Sequence, residues 1–222
     1  MTTDLLAQLS RDFFQNSLDS SPTSAIMRGN KAYFDKLEEL TDETFSEETK
    51  IVDEFISRLG NIDQDTLSHR EKVTYGMLEF ALSSNKDSLL DRSWEFGAGV
   101  SGFTGFLIDY NQQMFVPDIE SADMLLKRLE LYKRLFSQIA AVQKVGLDNN
   151  RVATERNLLR TIDQLENYLS SAIDNDPLLL VNFSPEISAI QISEWKEKAK
   201  KIIETHVRPT VMTYICLLYT SD

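Results

Sequence analysis

Asp109, Tyr110, Asn111 and Gln112 place a carboxylate, a phenol and two amides in one run inside otherwise apolar sequence. Such a group suits a substrate cleft, where a few convergent polar side chains orient a ligand between apolar walls. It equally suits a nonregular segment whose backbone groups need partners. Just upstream, Gly97-Ala98-Gly99-Val100-Ser101-Gly102 matches G-x-G-x-x-G. A dinucleotide site needs a buried strand before that match and a helix opening at its end. Asp91 to Glu95 do not read as a buried strand, and Phe103-Thr104-Gly105 start a helix poorly. The glycines are therefore read as letting a loop pass closely over packed helices.

No other constellation is complete. Ser101 lacks the glycine two places on that a nucleophile elbow requires, since Phe103 stands there. The two histidines, His69 and His206, are far from the four-residue spacing of a His-Glu-x-x-His zinc site. Cys216 is the single cysteine, which excludes an intramolecular disulfide framework.

These residues sit in or around one long stretch without helical period, Trp94 to Pro117, rich in glycine and aromatics. Around it the chain reads as amphipathic helix. Residues 4 to 18 carry Leu5, Leu6, Leu9, Phe13 and Leu18, with Ser20 to Pro22 as a break and a turn on to Gly29. A second helix follows Thr41 and ends at Gly60-Asn61, with Phe45, Val52, Phe55, Ile56 and Leu59 inward. Ser68 and Glu71 have capping-box spacing, and Val73, Met77, Phe80, Ala81 and Leu82 are the expected core stripe behind them. A fourth helix runs from about Ser121 to a stop at Gly146, and a fifth from about Asn150 to Leu169. The last begins at Ser193 and should kink or end at Pro209. The expected fold class is all-α, a bundle of five to six amphipathic helices with the irregular segment at about 94–117.

Composition narrows the function classes. The 222 residues carry a net charge of −12 with only 8 Gly and 5 Pro, which favours helix and disfavours binding to a phosphate backbone. The one lysine cluster, Lys196 to Lys201, is interleaved with Glu194, Glu197 and Glu204 and reads as a solvated helix face. No nucleic-acid or membrane partner is expected. The N-terminus lacks a basic start and a long apolar core, so a cytoplasmic protein is expected. A start further upstream would allow a periplasmic protein or a lipoprotein.

The order of segments resembles the N-terminal part of the bacterial family called domain of unknown function 885. The pieces that carry the resemblance include PTSAIMRGN, LSHREKVTYGMLEFAL, SGFTGFL and DIESADMLLKRLELYKRLFSQI. After them come VGLDNNRVATERNLLRTIDQLENYL and ISEWKEKAKKIIETHVRPTVMTYI, so the likeness covers most of residues 10 to 215. It implies a largely helical zinc metallopeptidase whose His-Glu-x-x-Pro-Gly-His-His type motif lies well downstream of this region. No such motif occurs here, so no catalytic residue and no metal ligand carry over.

The resemblance then implies a helical scaffold at residues 1–215 that walls one side of a cleft and is inactive alone. Asp109 to Gln112 are its candidate substrate contacts. Zinc is expected only in the full-length protein, and the expected partners are the missing C-terminal part and a peptide substrate. Residues 216–222, CLLYTSD, resemble adapter read-through and are expected to be a non-native tail whose apolar residues continue no stripe. The alternative is a self-contained helical interaction module that binds a partner through the aromatic loop.

Overall fold

A computed structural model describes residues 2–97 and 110–219, the side chains of Thr2 and Thr3 excepted. It is all-α apart from one two-stranded sheet. The chain divides into two compact units: Met1–Ser20 with Leu40–Ser93, and Ser21–Glu39 with Trp94–Asp222.

The first unit consists of α1 (Thr2–Ser20), α3 (Asp42–Gly60) and α4 (His69–Asp91). Thr41 caps α3, its side chain accepting from the Thr44 amide, and Asp42 and Glu43 put negative charge at the positive end of the helix. Ser68 and Glu71 close the capping box that opens α4. The core joins Leu6 and Leu9 of α1, Val52, Phe55 and Leu59 of α3, and Tyr75, Leu78 and Leu82 of α4. Phe13 meets Phe55 edge to face at 5.9 Å. On α4 the predicted stripe holds only at Leu82, which is buried: Val73, Met77 and Phe80 are exposed, Ala81 is half-buried, and the buried line is Tyr75, Leu78 and Leu82 on the side opposite those three. Both lines are apolar at helical spacing, so periodicity alone did not choose between them.

In the second unit Pro22 opens a short helix, α2 (Pro22–Met27), where a plain turn was expected. Proline suits a first helical position because its missing N–H has no intrahelical partner there anyway. Gly29 then takes φ +79°, a conformation that glycine adopts without strain. The predicted fourth helix is two, α5 (Ile119–Glu130) and α6 (Tyr132–Asp148), joined at Leu131. α7 (Glu155–Ser170), α8 (Ala189–Ile202) and α9 (Arg208–Tyr219) complete the unit. α5 packs on α8, and α9 lies against α6 and α7. The core includes Leu129, Leu135, Phe136, Leu165, Trp195 and Val211, and Phe136 meets the Tyr214 ring edge-on at 5.5 Å.

α8 begins earlier than expected, because Ser188 rather than Ser193 is its cap, in a second capping box with Gln191. Pro209 does not end the last helix. A π-helical turn, Ile203–Val207, precedes it and joins α8 to α9, a form in which an extra residue per turn absorbs a local mismatch. On α9 Val211, Tyr214, Ile215 and Leu218 are buried. Leu218 therefore continues a clear stripe, against the expectation that the final residues continue none.

Gly146 is not a helix stop. It lies inside α6, buried, where an added Cβ would come within 2.6 Å of the Glu95 carbonyl oxygen and 2.7 Å of that of Arg151. Two backbone segments pass too close for any side chain. Gly146→Ala is expected to lower stability by about 2–3 kcal/mol, read as a drop in the urea midpoint at unchanged slope. A loss under about 0.5 kcal/mol would show that the two segments yield freely.

Candidate functional site

The candidate residues lie in the second unit. Tyr110 to Gln113 form a single 3-10 turn, which leads into β1 (Phe115–Val116). β1 pairs in parallel with β2 (Asn182–Phe183), Phe115 opposite Asn182 and Val116 opposite Phe183. The Asn182 and Ser184 amides donate to the carbonyls of Met114 and Val116, each at 2.9 Å. The Asn182 side chain donates to the Gln112 carbonyl at 2.8 Å and so fixes the end of the turn. Phe183 packs edge-on against Trp195, whose indole N–H donates to the Ala122 carbonyl at 2.6 Å. A short sheet thus anchors the turn to α5 and α8.

The polar cluster does not act as one surface. Asp109 lies outside the described residues. Tyr110 is half-buried and Gln112 is exposed, while Asn111 points inward and is 4% exposed. Its amide donates to the Tyr132 hydroxyl at 3.4 Å, and its carbonyl accepts from the Met114 amide at 3.1 Å. Asn111, Leu125, Arg128, Tyr132 and Trp195 are among the residues that line a cavity of about 10 Å³. That is room for one water at most. Burial raises the Tyr132 phenol above its ordinary range, against the lowering effects of Arg128 and the Asn111 hydrogen bond. The interior face of the turn is a packed polar contact, and of the described candidates Tyr110 and Gln112 keep some exposure to solvent.

Sequence reasoning missed two of the buried charged clusters among the described residues, both of which brace this region. Arg128 is 2% exposed and donates to the Lys36 carbonyl and the Thr23 hydroxyl. Thr23 in turn donates to buried Glu38 through its hydroxyl at 2.8 Å and its amide at 2.9 Å. A signal was available: Arg128 stands three residues after Leu125 and four before Tyr132, on the apolar stripe itself. In the second cluster the carboxylate of Asp176, fully buried, accepts from Arg208 at 3.0 and 3.1 Å. It also accepts from the Leu178 amide at 3.0 Å and the Tyr168 hydroxyl at 3.4 Å. Burial, and then the neighbouring Asp176 charge, push the Tyr168 phenol far up. Arg208 and Asp176 face each other across 32 positions, a pairing that no local pattern reveals.

Neither cluster resembles a catalytic or metal centre. Among the described residues no group of three or more His, Cys, Asp or Glu side chains is gathered as a metal ion would need. His69 and His206 are both exposed, and Cys216 is exposed and free. Of the glycine run only Gly97 lies among the described residues. Among those residues no helix is long and apolar enough to cross a membrane.

Residues 22–220 match the family described as bacterial protein of unknown function (DUF885). The chain belongs to this family. The match starts at Pro22, later than the likeness read from the sequence, and runs past residue 215. No curated protein matches the chain. Among solved structures it is similar to a putative lipoprotein from Colwellia psychrerythraea, at 14% identity and a TM-score of 0.80. The likeness covers 99% of this chain and 41% of that one. At that identity the two share a fold. This DUF885 chain thus spans less than half the length of that relative.

Proposed function

We propose that the chain supplies the helical scaffold and one cleft wall of a zinc-dependent, peptidase-like hydrolase, with the metal-binding motif in a part of the family-length protein outside these residues. The observation that carries this reading is the length relation. Nearly the whole fold recurs inside a chain more than twice as long, so a DUF885 protein of that size has room for a catalytic half. The described residues do not fit a zinc site, which takes three or four protein ligands. No step through a metal is therefore assigned to them. The setting that accompanies the reading is the cell envelope, since the relative is described as a lipoprotein.

In this scheme Tyr110 and Gln112 reach a peptide substrate from the surface of the turn. Asn111 holds the turn in place from inside. The test uses this chain beside a family-length member. The present chain is expected to hold no stoichiometric zinc and to cleave no peptide. The longer protein is expected to bind about one zinc per chain and to lose peptidase activity when the metal is chelated. Substituting the residues that superpose on Tyr110 and Gln112 should shift KM or kcat by several-fold. A longer protein without zinc or activity would sink the reading, and unchanged kinetics in the variants would make the turn purely structural.

A further inference from the structure

α4 is apolar on two opposite sides, and the first unit covers only one of them. Tyr75, Leu78 and Leu82 enter the core. On the far side Val73, Met77 and Phe80, spaced four and three apart, form a line of neighbours along the helix. Their exposures are 52%, 69% and 75%. A helix apolar on both sides is normally buried on both. Gly76, which borders the exposed line, adds a second observation. A Cβ there would meet nothing within 4 Å, so nothing nearby in this structure requires a glycine. Yet a glycine inside a helix costs about 1 kcal/mol relative to alanine. The cost has a reason if another backbone approaches closely at that point.

We propose that the Val73–Gly76–Met77–Phe80 face of α4 is the seat of a helix from the part of a family-length DUF885 chain that lies outside the shared 41%. The proposal rests on the reading above that such a part exists, and it says where that part docks. Two observations favour this occupant over a second copy of the chain. The three side chains offer on the order of 300–400 Å² of apolar surface, so a pair of such faces falls short of the roughly 1,200–2,000 Å² that a stable complex buries. A net charge of −12 on each copy also opposes self-association. A helix tethered in the same chain meets neither obstacle, because its effective concentration is high.

The test is thiol labelling. Met77→Cys is made in this chain with Cys216→Ser, which removes the only native thiol. In the full-length Colwellia psychrerythraea protein a cysteine is placed at the residue that superposes on Met77. Labelling by a maleimide is expected to be at least tenfold slower in the longer protein. Equal rates overturn the proposal. So does a concentration-dependent dimer of this chain, seen by sedimentation, that Phe80→Ser abolishes, since the seat then belongs to a second copy. Zinc content and peptidase activity of the longer protein are measured separately. Protection without zinc leaves the docking intact and sinks the functional reading, and zinc without protection does the reverse.

Discussion

Arg208→Met is expected to lower stability by about 3–5 kcal/mol, because it leaves a fully buried carboxylate without its countercharge. Asp176 has no solvent access, while the Arg208 side chain keeps 18% of its own. The guanidinium supplies both donors to Oδ2 and also lies 5.6 Å above the Tyr168 ring. Without it, Oδ1 keeps the Leu178 amide and the Tyr168 hydroxyl, and Oδ2 keeps nothing of comparable strength. Methionine fills most of the space, so the loss reports charge rather than volume. Asp176→Asn alone should also destabilise, since its amide turns a donor toward the guanidinium. The double variant is expected to lose less than the two single losses added together, because neither charge is then buried unpaired. Urea unfolding of the four proteins measures this directly. A loss below about 1 kcal/mol for Arg208→Met would mean that water reaches the carboxylate and that the loop at 171–180 is not held by this pair.

The pair shows where sequence reading stops. Features encoded by neighbours were legible: the capping box at Ser68 and Glu71, the Thr41 start of α3, its end at Gly60-Asn61, and the all-α class. Features decided by distant partners were not. Val73, Met77 and Phe80 have the same periodicity as Tyr75, Leu78 and Leu82, and only the position of α3 and α1 shows which line is inside. Gly146 looked like a helix stop because glycine commonly ends helices, whereas its role is set by the carbonyls of Glu95 and Arg151. Pro209 looked like a kink or an end, and beyond a π-helical turn the helix runs on.

The candidate site follows the same division. Composition located a polar run at 109–112, but the direction of each side chain depends on the sheet pairing of residues 115–116 with 182–183. That pairing spans some seventy positions and only two residues per strand, too little to leave a pattern in sequence. It turns Asn111 inward to Tyr132 and leaves Gln112 at the surface. The apolar setting that suggested a cleft is, for Asn111, the packed interior.

The second large effect is expected at Arg128. This arginine, with Arg134 and its partner Glu39, ties residues 21–39 to the second unit although α1 and α3, on either side of them in sequence, belong to the first. From α5 its guanidinium reaches the Lys36 carbonyl and the Thr23 hydroxyl, and Thr23 passes a proton donor on to Glu38. Burial lowers the pKa of Arg128, and the neighbouring Tyr132 and Glu38 oppose that. Its Nε has no partner among the protein atoms, so the cluster is held by the two Nη groups. Arg128→Met strips the charge that compensates Glu38, which is 6% exposed, and is expected to cost about 3–5 kcal/mol. Arg128→Lys should recover little, because an ammonium puts its donors on one nitrogen and cannot span two acceptors that the separate Nη groups of the guanidinium reach. Thr23→Val removes only the relay hydroxyl and is expected to cost about 1–3 kcal/mol. Limited proteolysis adds a readout that global unfolding lacks: cleavage between Gly29 and Leu40 should accelerate in Arg128→Met under conditions where α5 and α8 remain folded. Uniform loss of structure with no early cut in that segment would show that Arg128 supports the core at large rather than this strap.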